Sequence, residues 1–186
     1  GRDIFKRVLY GAKYSLVLSF GATALGLAVG LFFGAIAGYY GGAVDNIIMR
    51  FTDIFYSIPY IMLAVVVVSL LGTSMASLLI AMALGSFAGF ARIARASIMT
   101  VRDMEYVESG YAIGLPTWKI ILKHIIPNCL SPIIVQTTLR VGSNIISASS
   151  LSFLGVGITP PTPEWGAMLS DGRSYIRSSG WMCLFP

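Results

Sequence analysis

The chain has 186 residues, 56% hydrophobic and only 11% charged, with a net charge of +5 and a mean hydropathy of +0.79. Soluble globular domains carry about 25% charged residues, so an ordinary soluble fold is excluded. No Asp, Glu, Lys or Arg occurs over residues 14–44 or 54–91, and each run exceeds the ~20 residues that cross a bilayer as helix.

Residues 1–13 set Arg2, Asp3, Lys6, Arg7 and Lys13 among Ile4, Phe5, Val8 and Leu9, which predicts a short amphipathic interfacial helix. A first span is predicted over 14–38. It ends at Tyr39-Tyr40-Gly41-Gly42, with aromatics for the interface and glycines for a turn. Within it Gly26, Gly30, Gly34 and Gly38 recur every four residues after Ala22. On a helix they make one smooth face against which a second backbone packs closely.

An amphipathic piece around Asp45, Arg50 and Asp53 leads into a second span over 55–71, with Pro59 near its start as a tolerable kink. Gly72-Thr73-Ser74 breaks the run, and a third span follows over 77–91. Residues 92–127 form a polar loop, 130–154 a fourth span, and 155–180 a polar extracytoplasmic segment. The fold class expected is therefore an all-α, polytopic transmembrane helix bundle forming a single domain over 1–186. The chain opens on Gly1 without Met and stops at Phe185-Pro186 as a new apolar stretch begins, so it reads as part of a longer membrane protein.

The polar loop is punctuated as helix, turn and helix. Asp103, Glu105 and Glu108 load the start of a helix over 103–113, which suits the helix dipole. Gly114 is a natural residue just past a helix end, and Pro116 forbids simple continuation. Thr117 is placed to cap a second helix from Trp118, and Pro127 to end it. Such a hairpin would project Gly114 and Leu115 away from the membrane, as an interaction surface.

Arg140 lies within the fourth span, where facing lipid would cost about 2.5–3.5 kcal/mol. It should face a bundle interior, an aqueous path or a partner subunit, as a structural pair or as a substrate contact. His124 is the single histidine, and Cys129 and Cys183 read as unpaired thiols with no metal-like spacing. No phosphate-binding G-x-x-x-x-G-K-[ST], no H-E-x-x-H and no intramembrane carboxylate pair occurs. The basic residues form no block, which favours charge flanking a lipid surface over nucleic-acid binding. Charge does not fix orientation. Arg50, Arg92, Arg95, Arg102, Lys119 and Lys123 lie on the face of the large loop, and Arg2, Lys6, Arg7, Lys13, Arg173 and Arg177 balance them on the other.

At the loop the sequence resembles bacterial ABC importer permeases, whose motif has the form E-A-A-x-x-x-G-x9-I-x-L-P. Here it reads Glu108-Ser109-Gly110, Gly114 four residues on, then His124, Ile126 and Pro127. Both alanines are replaced, and Gly110 costs its helix roughly 1 kcal/mol against Ala. Gly1-Arg2-Asp3-Ile4-Phe5, Tyr10-Gly11-Ala12-Lys13-Tyr14-Ser15-Leu16, Leu151-Ser152-Phe153-Leu154-Gly155-Val156-Gly157 and Pro160-Pro161-Thr162-Pro163-Glu164-Trp165-Gly166-Ala167-Met168 are similar to dipeptide, oligopeptide and nickel permeases.

The resemblance implies a permease subunit in the prokaryotic cytoplasmic membrane, with its loop in the cytoplasm and a first and a last helix lying outside this chain. It implies that Glu108, Gly114, Leu115, Pro116 and Pro127 couple to a separate ATPase. Its partners would be a second permease, two ATPase subunits and an extracytoplasmic substrate-binding protein. ATP and magnesium would sit on the ATPases, with no cofactor and no metal on this chain. Peptide is the expected solute and nickel the alternative within the family. Outside it stands a membrane scaffold that docks a soluble partner without moving solute. A membrane-embedded enzyme is disfavoured by the empty catalytic inventory.

Overall fold

The computed structural model describes residues 3–158 and 162–186. Gly1, Arg2 and Thr159-Pro160-Pro161 lie outside the described residues, and with them the ends of two segments that carried the resemblance. The described chain is helical: α1 (Ile4–Tyr40), α2 (Gly42–Ser57), α3 (Tyr60–Leu71), α4 (Met75–Arg102), α5 (Glu105–Ala112), α6 (Thr117–Ile120), α7 (Ile126–Phe153), α8 (Trp165–Gly172) and α9 (Trp181–Leu184). A π turn at Ile121–Ile125 joins α6 to α7.

Among the described residues, three helices are long and apolar enough to cross a membrane: Ile4–Tyr40, Met75–Arg102 and Thr117–Phe153. α2 and α3 pass the same test only when counted together across the break before Tyr60, so the described residues hold three such helices, or four if this bent pair is one span. Pro59 thus separates two helices instead of kinking one, since its ring and missing N–H bar continuation from Ser57.

The helix bounds differ from the sequence reading in three further places. The segment read as an interfacial helix (1–13) and the first span (14–38) are one continuous helix from Ile4. Arg92, Arg95 and Arg102 belong to α4, because their charges are met by partners on other elements. Pro127 does not end a helix: it sits in the first turn of α7, straight after the π turn. A proline's fixed φ is helical, and the wider π pairing already redistributes the carbonyls around it. Asn128 Nδ2 adds a donor to the His124 carbonyl at 2.7 Å.

The chain folds as two compact units, one of Gly1–Leu25, Ile58–Gly85 and Arg140–Pro186, the other of Gly26–Ser57 and Ser86–Leu139. The first has a core of Leu18 and Ala22 from α1, Ala64 and Val68 from α3, Leu78, Ala81 and Met82 from α4, and Ala148 and Leu151 from α7. Here part of the segment read as polar and extracytoplasmic (155–180) folds as α8. Fully buried Glu164 caps that helix, accepting from the Gly166 and Ala167 amides at 3.0 and 2.9 Å. Trp165 Nε1 donates to the Val8 carbonyl at 3.0 Å, and Gly166 lies against Ser149 so closely that a Cβ would stand 2.3 Å from Ser149 Cα.

In the second unit the glycine face of α1 meets α4. A Cβ at Gly30 would lie 2.4 Å from Phe90 Cβ, at Gly34 2.4 Å from the Ala91 carbonyl oxygen, and at Gly38 2.8 Å from that of Arg95. Gly26 is buried as well. The helix axes can approach this closely because neither side has a side chain to separate them. Phe33, Phe51, Phe55 and Phe87 fill the adjoining space edge to face or tilted. Asp45 of α2 takes a forked pair of bonds from Arg95, and Asp53 accepts from Arg92 at 2.7 Å. The Arg92 guanidinium stacks 3.7 Å over the Tyr56 ring.

Candidate coupling site

The hairpin of the second unit starts where α4 ends. Arg102 donates to the Gly38 and Tyr39 carbonyls at 3.2 and 3.0 Å, placing a cation on the C-terminus of α1, and pairs with Asp103 at 3.0 Å. Glu105 and Glu108 occupy the first turn of α5, where the dipole favours carboxylates. Val107 and Gly110, three residues apart, turn one face inward.

The end of α5 is a complete Schellman closure. Leu115 N–H donates to the Gly110 carbonyl and Gly114 N–H to that of Tyr111, at 3.1 and 3.0 Å. This requires a left-handed residue, and Gly114 supplies it at φ +77° with no atom within 4 Å of where a Cβ would stand.

Leu115 does not project from the tip. It is half-buried, packed on the cluster of Ile98, Val101, Val107, Ile120, Ile125, Cys129 and Ile133. The hydrophobic contact of a Schellman closure draws it over Gly110, whose Cβ position lies 3.7 Å from Leu115 Cδ1. The apolar side chain that is presented is Ile113, 75% exposed, with Trp118 at 59% beyond the turn. Neither was singled out from the sequence. A signal was there, since the residue at Ile113 ends a helix whose inward positions are already taken by Val107 and Gly110.

Pro116 stands extended as the residue before α6, and Thr117 is its first helical residue. No side-chain cap forms there, so the capping role expected of Thr117 falls away. Proline has no N–H to satisfy, which lessens the need for a cap. Pro116 and Pro127 are both exposed.

Exposed Glu108 lines a cleft of about 570 Å³ with Tyr39, Tyr40, Arg102, Asp103 and Tyr111. The Tyr39 and Tyr111 hydroxyls bond each other across it. Burial, then the bond to Tyr39, pushes the Tyr111 pKa up to about 12, with Arg102 opposing. Arg140 belongs to the other unit. His124 lies beside the Tyr106 ring, 6.5 Å between centroids. Among the described residues no three His, Cys, Asp or Glu side chains gather as a metal site would require.

Gly110 is the position at which the loop departs from an alanine pattern, and the space there is ordinary. An added Cβ would meet Ile120 Cγ1 at 3.5 Å and Leu115 Cδ1 at 3.7 Å. Gly110→Ala is therefore expected to stabilise α5 by about 0.5–1 kcal/mol. Slower amide hydrogen exchange across α5 would bear this out, and exchange as fast as before would refute it.

The family model described as "Binding-protein-dependent transport system inner membrane component" matches residues 30–185. Along all 186 residues the chain is 45% identical to the dipeptide transport system permease protein DppC of Alkalihalophilus pseudofirmus, covering 61% of that protein. It is 41% identical to the glutathione transport system permease protein GsiD of Pectobacterium atrosepticum, covering 62% of it. The corresponding GsiD of Escherichia coli O157:H7 is 45% identical and is covered to 61%. The chain thus spans about three fifths of the length of these relatives. Among solved structures, the inward-facing MetNI methionine ABC transporter matches with a TM-score of 0.79 at 18% identity, over 99% of this chain and 88% of that one. An amino acid ABC transporter crystallised with histidines matches at 0.67 and 17%, over 97% and 85%. At these identities the two structures speak for the fold.

Proposed function

We propose, because the chain belongs to the family of binding-protein-dependent transport system inner membrane components, that it is the core of one permease subunit of an ATP-driven ABC importer. It lies in a prokaryotic cytoplasmic membrane with the α5–α6 hairpin on the cytoplasmic side. A second permease, two ATPase subunits and an extracytoplasmic binding protein complete the machine. The chemistry of ATP and magnesium stays on the ATPases. The relatives named for dipeptide and glutathione transport support a peptide-like solute.

The observation that carries this reading is the anchored hairpin. Its tip at Ile113-Gly114 is exposed, while Val107, Ile120 and Ile125 behind it are buried in one apolar cluster with Ile98 and Val101 of α4 and Ile133 of α7. A push on the tip is carried into α4 and α7, because close-packed side chains transmit displacement instead of absorbing it. The helical path from Thr117 to Phe153, with a π turn at Ile121–Ile125 and Pro132 inside it, joins the hairpin to a span-length helix. Closure of the ATPase pair on ATP would thus move the permease helices and expose the solute path alternately to either side.

The test places a photo-crosslinking residue at Ile113 in the full-length protein in its native membrane, with capture read by mass spectrometry. An ATPase subunit carrying a phosphate-binding loop is the expected partner. Capture of another soluble protein in its place, with no ATPase, would turn the reading to a scaffold.

A further inference from the structure

The polar cleft beside the hairpin has an apolar neighbour. Tyr39 and Tyr40, at the end of α1, line the cleft of about 570 Å³ together with Arg102, Asp103, Glu108 and Tyr111. The same two tyrosines line a second cavity of about 210 Å³, walled by Ala35, Ile36, Ile98, Ile121, Ile125 and Ile126. All of these residues belong to the second unit. The two hollows thus share one aromatic edge, with charged groups in one and aliphatic walls in the other. Tyrosines at the end of an apolar helix mark the level of the bilayer interface. An amphiphile standing at that level would meet a charged recess for its head and an apolar one for its tail.

The charges of the cleft select the head. Half-buried Arg102 has its Nε on Asp103 and its Nη1 on the Gly38 and Tyr39 carbonyls. Nη2 is not drawn into these bonds, so a guanidinium already held in place keeps a donor, and guanidinium suits a phosphate. Exposed Glu108 makes no ion pair among the described residues. Asp103 offsets Arg102, which leaves the cleft negative through Glu108. A purely anionic head would gain from Arg102 and lose against the two carboxylates. A head with a phosphate and an ammonium satisfies both signs. Its phosphate accepts from Arg102, and its ammonium donates to Glu108 among the rings of Tyr39, Tyr40 and Tyr111.

The isoleucine-lined cavity has room for the beginning of an acyl chain, since an apolar cavity of about 150 Å³ already holds a benzene-sized guest. Bilayer tails are as apolar as this lining, so the tail contributes placement and the head contributes selectivity. We infer that Arg102, Glu108 and the tyrosine edge bind one zwitterionic phospholipid with a primary-amine head, its first methylenes seated in the isoleucine-lined cavity. Its occupancy ties the end of α1 to α5 and to the start of α7, the elements that carry the hairpin. The site requires the membrane bundle and not the importer reading.

The test uses the full-length protein, with the subunits that co-purify with it, in phosphatidylcholine nanodiscs. Two probes are compared at equal mole fraction, a phosphatidylethanolamine and a phosphatidylglycerol, each with a diazirine near the glycerol end of one acyl chain. Labelled residues are read by mass spectrometry after digestion. The ethanolamine probe is expected to label residues 35–40 and 121–126 at least about threefold more than the glycerol probe. Glu108→Gln removes an exposed, unpaired carboxylate and should bring the two probes to equality. Glu105→Gln removes the same charge from α5 outside the cleft and should keep the preference. Equal or stronger labelling by the glycerol probe, a preference that survives Glu108→Gln, or one lost as fully in Glu105→Gln each overturns the site. So does the absence of label at these residues, as when an ATPase segment or another helix fills the cleft instead.

Discussion

Gly34→Leu is expected to prevent the second unit from packing, at a cost of about 3 kcal/mol or more, at the upper end of the range for overpacked cores. The added Cβ would stand 2.4 Å from the Ala91 carbonyl oxygen, 2.7 Å from Ala94 Cβ and 3.0 Å from Ala91 Cα. Two of these atoms are backbone, so no rotamer change relieves the clash. Sliding α4 away does not help either, because Gly30 and Gly38 hold the same two helices together one turn to each side. The measurement is the folded fraction of the full-length protein after detergent extraction, followed through thermal unfolding. Gly142→Leu is the control: it lies inside α7 with nothing within 4 Å of its Cβ position. The packing argument fails if Gly34→Leu extracts and melts like the control.

Gly114→Asp is expected to produce the opposite combination, a folded protein that has lost coupling. No atom lies within 4 Å of the new Cβ, so the fold meets no obstacle. The left-handed φ of +77° costs a residue with a side chain about 1–2 kcal/mol, and aspartate tolerates that region better than most. What changes is the tip, where a carboxylate replaces a bare backbone at the point that the proposed coupling would offer to an ATPase. The readout is ATP hydrolysis stimulated by loaded binding protein, together with solute uptake. Both should fall to the unstimulated level while insertion and melting stay near wild type. Normal uptake by the variant would sink the lever. Gly34→Leu and Gly114→Asp thus separate the two roles of glycine in this chain, close approach in one and left-handed backbone in the other.

Much of the architecture was legible because its causes are local. Burying a charge in hydrocarbon is so costly that the charge-free stretches 14–44 and 54–91 marked candidate spans, and the long apolar helices Ile4–Tyr40 and Met75–Arg102 take up much of them. The four-residue glycine register had to be a packing face, and the structure lays Gly30, Gly34 and Gly38 on α4. Gly114 followed by Pro116 had to be a turn, and it closes α5.

What the sequence by itself determined, then, was composition-driven: a membrane helix bundle, a polar hairpin, a glycine seam. Tertiary structure decided whatever depended on distant partners. Arg92 and Arg95 read as the start of a loop because Asp53 and Asp45, which neutralise them and let α4 run on to Arg102, lie 39 and 50 residues away in sequence. Glu164 read as part of a polar extracytoplasmic segment, yet two backbone amides and Ser15 receive it in full burial. Leu115 read as the tip of the hairpin, and the apolar cluster under the turn draws it inward, leaving Ile113 outside. In each case a local pattern gave the element and a long-range contact gave the direction, since a charge or an apolar side chain follows the partner that lowers its free energy most.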